Sequence, residues 1–95
     1  MREADVEKYL VKVVESMGGE CRKVKWIGRR GAPDRVVFFG SDYLVLPRTI
    51  WVELKAPNRG CSALQLREHT CMRRLGQEVF VLDSIGAIDK WAASL

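Results

Sequence analysis

Apolar residues return every three or four positions near the start of the chain: Val6, Tyr9, Leu10, Val13, Val14 and Met17. That spacing predicts an amphipathic helix over 3–17. Gly18-Gly19 follows it, as a left-handed C-terminal cap would. From Cys21 to Ile27 the pattern loosens into alternation, Cys21, Lys23 and Lys25 against Arg22, Val24 and Trp26, and predicts a strand with basic residues on one side. Gly28-Arg29-Arg30-Gly31 is a basic loop between glycines, where the backbone can approach a ligand closely and the arginines can meet phosphates or simply stay solvated. Pro33 lacks an N–H and suits entry into a strand. Val36 to Phe39 reads as a short buried strand, Gly40 to Tyr43 as a turn, and Leu44 to Leu46 as an extension of the hairpin before Pro47.

Ile50 to Lys55 is the central strand of this pattern, and Ala56 to Gly60 leaves the sheet as a loop. Ser62 followed three residues later by Gln65 makes a capping box. The helix it opens runs to about Leu75, buries Leu64, Cys71, Met72 and Leu75, and ends at Gly76. Val79 to Leu82 is wholly apolar, as expected of a strand covered on both faces. A last helix from Asp83 or Ser84 buries Ile85, Ile88, Ala92 and Leu95, with Trp91 beside them. The order is helix, strand, strand, strand, helix, strand, helix. It predicts an α/β fold with a mixed central sheet flanked by helices, the last strand joined parallel to a neighbour by a right-handed crossover. Repeats, low-complexity tracts and linkers are absent, so residues 1–95 read as one domain.

Composition narrows the class only a little. Apolar residues make up 47% and charged residues 29%, which is globular rather than disordered. Sixteen Lys and Arg against 12 Asp and Glu give a net charge of +4, a mild lean toward nucleic acid. Cys21, Cys61 and Cys71 are odd in number and lack C-x-x-C spacing, and His69 is the only histidine. This argues against structural zinc and for reduced thiols in a cytoplasmic compartment. His69, with no partner triad in sequence, reads as an exposed helix residue. No apolar run approaches the length of a membrane span, and the first residues are charged, unlike a signal peptide.

The chemistry sits on the central strand. Residues two apart on a strand face the same way, so Trp51, Glu53 and Lys55 project together while Ile50, Val52 and Leu54 face the opposite side. A carboxylate and an ammonium on an apolar strand are costly to bury unless they pair or hold a metal. Asp34 opens the preceding strand, so hairpin pairing can bring it beside Glu53. Two carboxylates near one lysine at strand ends form a candidate Mg2+ site for phosphodiester hydrolysis. Each residue also has a plainer reading. Glu53 and Lys55 can be a salt bridge, Asp34 can cap a turn after Pro33, and Gln65 is explained as the partner of Ser62. On the first helix, Glu7 and Glu3 both lie on the flank of the apolar stripe and compete for any role at the sheet edge.

With these motifs in place, the chain resembles the PD-(D/E)xK nuclease superfamily, and within it the small stand-alone VRR-NUC domains of phages and bacteria. The residues that carry the likeness are Glu7, Gly31-x-Pro33-Asp34, Glu53-Leu54-Lys55 and Gln65, with the Gly76 and Val79-to-Leu82 region, and they span nearly the whole chain. The resemblance implies a restriction-endonuclease-like αβββαβ core. It implies that Asp34 and Glu53 ligate Mg2+ or Mn2+ with the main-chain carbonyl of Leu54, and that Glu7 does so directly or through water. Lys55 would position the attacking water and steady charge on the phosphate, and Gln65 would hold a water at the metal or Lys55 itself. Stand-alone members of the family are associated with four-way junctions, so the implied protein is a homodimeric Holliday-junction resolvase acting in the cytoplasm of a bacterium or phage-infected cell. Two alternatives stand beside it: a flap or fork cutter, and an inactive DNA-binding module. Lys23, Lys25, Arg29, Arg30 and Arg35 suit contacts to the DNA backbone.

Overall fold

A computed structural model describes residues 1–41 and 47–95. Its elements are α1 (Glu3–Ser16), β1 (Glu20–Lys23), β2 (Arg35–Phe39), β3 (Arg48–Leu54), α2 (Ala63–Arg74), β4 (Glu78–Leu82) and α3 (Ile85–Ser94). The strands form one sheet in the order β1-β2-β3-β4, with β1, β2 and β3 antiparallel in turn and β4 parallel to β3. This is the mixed α/β sheet that the apolar pattern predicts, with β3 inside it. The predicted turn after Gly40 and the extension over Leu44 to Leu46 lie mostly outside the described residues.

Alternation along the strands sorts the sheet into two unlike faces. Val37, Phe39, Ile50, Val52, Leu54 and Leu82 point to one face, where Val6, Leu10 and Val14 of α1 and Ile88 and Trp91 of α3 close a continuous apolar core. The opposite face carries Val36, Trp51, Glu53 and Val79, and α2 packs over it. The main core is thus complete without α2, which leaves the second face free to carry charge.

Four expectations change at this level. The strand drawn from Cys21 to Ile27 stops at Lys23. Lys23 pairs with Arg35, so the same register would set Lys25 opposite Pro33, which has no N–H for the ladder. Val24 still bonds the Asp34 carbonyl at 2.9 Å, and the chain then leaves the sheet. In α2 the inward stripe is Glu68, His69 and Met72, whereas Leu64 and Leu75 are exposed and Cys71 is half-buried. The reason is what lies beneath: a sheet face bearing Glu53 gives a polar stripe something to meet. His69, expected at the surface, is fully buried. β4, expected to be covered on both faces, is an edge strand with Val81 exposed, because α2 covers only part of its side. In α3, Ser84 caps the helix, and Ile88 and Trp91 are the buried pair, with Ala92 and Leu95 packed partly against the core.

Gly31 shows how tightly the loop before β2 is seated. Its φ is +85°, and a Cβ there would stand 2.9 Å from the Leu64 carbonyl oxygen in the first turn of α2. The close approach that a glycine permits is made to α2. Gly31→Ala should therefore lower unfolding free energy by ~1–3 kcal/mol through left-handed strain and the clash. Gly60→Ala, with open space around it and no positive φ, should cost less than ~1 kcal/mol. Urea unfolding of the two variants checks the contrast.

Candidate active site

Pairing between β2 and β3 ends with Arg35 opposite Val52. The next residues in that register are Asp34 and Glu53, which alternation places on the α2 face with Val36 and Trp51. Asp34 and Glu53 therefore converge, as the hairpin argument requires. The Asp34 charge helps to raise the Glu53 carboxyl, and the Lys55 ammonium pulls both carboxyls back down. Burial is the larger cause for each. It lifts Asp34 above its ordinary value and, with the Asp34 charge behind it, lifts Glu53 to about 7. Leu54, between Glu53 and Lys55, has its side chain in the core, so only its main chain is available to a ligand.

The carboxylates are incompletely satisfied. Asp34 Oδ2 takes an ion pair from Arg35 at 2.9 Å, while Asp34 Oδ1 is buried with no hydrogen-bond partner. Glu53 Oε1 is likewise buried and unpartnered, and lies 3.6 Å from His69 Nε2. Both ring nitrogens of His69 lack a partner, and burial pushes its pKa down, so the ring faces Glu53 as a neutral group. Sequence reading missed this residue for want of a partner triad. The available signal was its position four residues after Gln65, on the same side of the helix.

The remaining predicted residues divide. Gln65 is spent on the cap: its Oε1 accepts from Ser62 N–H at 2.9 Å while its own N–H donates to Ser62 Oγ at 3.1 Å. Glu7 forms an ion pair with the buried Arg35 guanidinium, and the α1 carboxylate whose charge raises both Asp34 and Glu53 is Glu3. Among the described residues no three His, Cys, Asp or Glu side chains form a ready-made metal cluster. What the fold assembles is a pair. Two repelling oxygen donors in a half-buried site suit a hard divalent cation whose other positions are filled by water. Of the five cations read as DNA contacts, Arg29 is held by both oxygens of Glu68 and Arg35 is buried. Lys23, Lys25 and Arg30 are exposed and form no ion pair among the described residues. Lys23 and Lys25 line a cleft with Asp34. All three cysteines are free and half-buried.

A raised carboxyl has a definite sign in stability. Glu53 binds its proton more tightly folded than unfolded, so its favourable contribution is full below about pH 4.5 and is lost as pH rises through about 7. At about 1.4 kcal/mol per tenfold change in proton affinity, the penalty above pH 7 is at most about 3.5 kcal/mol. Glu53→Gln should therefore be more stable than the parent protein at pH 8 without divalent cations, with the difference shrinking toward pH 5. Thermal melts of both across that range in EDTA test it; a pH-independent difference would contradict the burial argument.

No protein-family model matches the chain. Against curated proteins it is 43% identical over 84 residues to "Putative nuclease p44" of Acyrthosiphon pisum secondary endosymbiont phage 1, covering 88% of this chain and 85% of that protein. Among solved structures it superposes on one described as "VRR_NUC domain" with a TM-score of 0.77 and 40% identity, covering 93% of this chain and 90% of the other. On that likeness in sequence and fold, the chain belongs to the VRR-NUC nuclease family.

Proposed function

We propose that this nuclease is a divalent-metal-dependent endonuclease of branched DNA, acting as a homodimer on four-way junctions. The observation that carries the catalytic part is the pair of buried, unpartnered oxygens on Asp34 and Glu53, beside Lys55. Asp34, Glu53 and the Leu54 carbonyl would hold Mg2+ or Mn2+, with Glu7 or Glu3 entering through water. Such an ion lowers the pKa of water and neutralises charge on the phosphoryl oxygens. Lys55, on the same side of β3 as Glu53, steadies the phosphate and orients the attacking water. Gln65 keeps α2 in place over the site through its cap and can lend its amide to Lys55.

Substrate and assembly follow from the surface. Lys23 and Lys25 line the cleft and Arg30 is exposed, none of the three forms an ion pair among the described residues, and the described helices present no separate recognition module, so backbone and shape are what such a surface reads. One chain has one site, whereas resolving a junction takes two matched cuts, which a twofold dimer supplies by symmetry. The cytoplasm of a bacterium or an infected host is where such DNA is found. Among the described residues no helix is long and apolar enough to cross a membrane.

Purified protein should cut a four-way junction with Mg2+ or Mn2+ and not in EDTA. Asp34→Ala, Glu53→Ala and Lys55→Ala should each lower the rate by about a hundredfold or more while the fold is kept. A fully active Glu53→Ala would refute the site, and preference for flap over junction in parallel digests would favour the fork-cutting alternative. Absence of metal-dependent cutting on any branched DNA would favour the inactive binding module. Light scattering should give twice the chain mass at micromolar concentration; a monomer would count against the paired-cut scheme. Gln65→Ala should cost ~1 kcal/mol of stability through the lost cap partner. Loss of cutting beyond that would assign Gln65 a part in the chemistry.

A further inference from the structure

Ile27 is 95% exposed, far more than any other large apolar side chain of the described residues. Single exposed hydrophobics are commonplace, so the manner in which this one is held matters more than its exposure. Before it, Trp26 lies tilted on Trp51 with ring centroids 5.4 Å apart and donates its Nε1–H to the Pro33 carbonyl at 2.7 Å. After it, Gly28 takes a φ of +74°, Arg29 is gripped by both oxygens of Glu68, and Gly31 abuts the Leu64 backbone. Both shoulders of the loop are fastened, to Pro33 ahead of β2, to β3 and to α2, and the apolar tip between them is turned to solvent. A tip held this way loses little conformational freedom when a partner arrives.

Its surroundings select the partner. Lys25 and Arg30 flank the tip, both exposed and without an ion pair among the described residues. Lys25 also lines the cleft that contains Asp34, so the tip and the site belong to one stretch of chain. Cations on either side of an aliphatic tip match a nucleic-acid strand, with phosphates outside and a base step within.

We propose that Ile27 is a wedge that enters an unstacked base step at the branch of the DNA, next to the phosphodiester offered to Asp34 and Glu53. The inference rests on the nuclease reading of that site. At a branch the stack is already interrupted, so the wedge meets less resistance there than in a continuous duplex. Branched DNA is thereby preferred without any contact to base edges.

The test uses the whole protein in EDTA, which prevents cutting. A four-way junction carries 2-aminopurine at the branch, whose fluorescence rises when the base unstacks, and a second, fluorescein-labelled copy reports binding by anisotropy. Wild type should bind and raise the 2-aminopurine signal several-fold, and Ile27→Phe should keep that rise. Ile27→Ala should lose the rise while its affinity falls by no more than about tenfold, because the phosphate contacts remain. Circular dichroism confirms that the variants fold. A rise that persists in Ile27→Ala, or no rise in wild type that binds, would overturn the wedge and leave the nuclease reading standing. A wild-type dimer that becomes a monomer in Ile27→Ala would assign the tip to a second copy of the chain and also overturn the wedge. Failure of wild type to bind any DNA would bring down the nuclease reading, and the wedge with it.

Discussion

Two carboxylates that repel each other are held side by side by the antiparallel register between β2 and β3, and the other features of the site depend on that constraint. A one-residue slip of β2 against β3 would turn Asp34 to the core face, away from Glu53, and expose Val37 on the other. The apolar core under α1 and α3 therefore fixes the register for its own reasons, and the acidic pair is carried along. Pro33 adds the second half of the constraint. By ending the β1–β2 ladder just before Asp34, it opens the strand end where the carboxylates stand and frees residues 25–31 to leave the sheet.

The freed segment does not float. Gly31 lies against the first turn of α2, and Arg29 is bound to Glu68 one turn further along the same helix. Glu68 is followed by His69, which faces Glu53 across 3.6 Å. Loop, helix and strand thus share a chain of contacts from the exposed tip at Ile27 to the buried carboxylate. α2 contributes little to the main apolar core. Its inward stripe of Glu68, His69 and Met72 makes sense as support for the charged face of the sheet. Arg29, which looks like a phosphate contact when the residues are read in order, serves in this support instead.

The apolar periodicities of α1 and α3, the capping box at Ser62 and Gln65 and the β-branched run of β3 are local signals; they placed the helices to within a residue or two and found β3, which begins two residues earlier than read, at Arg48, and ends at Leu54. Asp34 and Glu53 were legible because strand alternation and hairpin register are geometric rules that need no tertiary detail. The face of α2 was not legible. Leu64 and Leu75 have the composition of a buried stripe, yet the sheet beneath carries charge, and no local pattern reports what lies on the partner surface. For the same reason His69 was misplaced, and the partner of Glu7 was invisible because Arg35 joins it from a different element. Lys23 to Ile27 failed for a subtler reason: the alternation is genuine, but the residue that ends the strand, Pro33, belongs to its neighbour.

The electrostatic state of the site has a direct consequence for stability. Asp34 and Glu53 are both raised above their ordinary values by burial and by carboxylate neighbours, with Lys55 only partly offsetting this. As pH rises through about 7 and Glu53 ionises, the folded protein therefore stores repulsion that an apolar or amide pair would not. A group that binds there and carries positive charge relieves the repulsion, so its binding free energy includes the strain it removes. A cation bound at the proposed site would gain affinity to the extent that the empty fold is destabilised. Arg35 limits that cost by neutralising Asp34 from the opposite side, at 2.9 Å, without reaching the unpartnered Oδ1. A guanidinium on Oδ1 as well would make the fold more stable and remove the acceptor that a cation needs. The division of Asp34 into one satisfied and one unsatisfied oxygen is how a small domain can hold such a site and still fold.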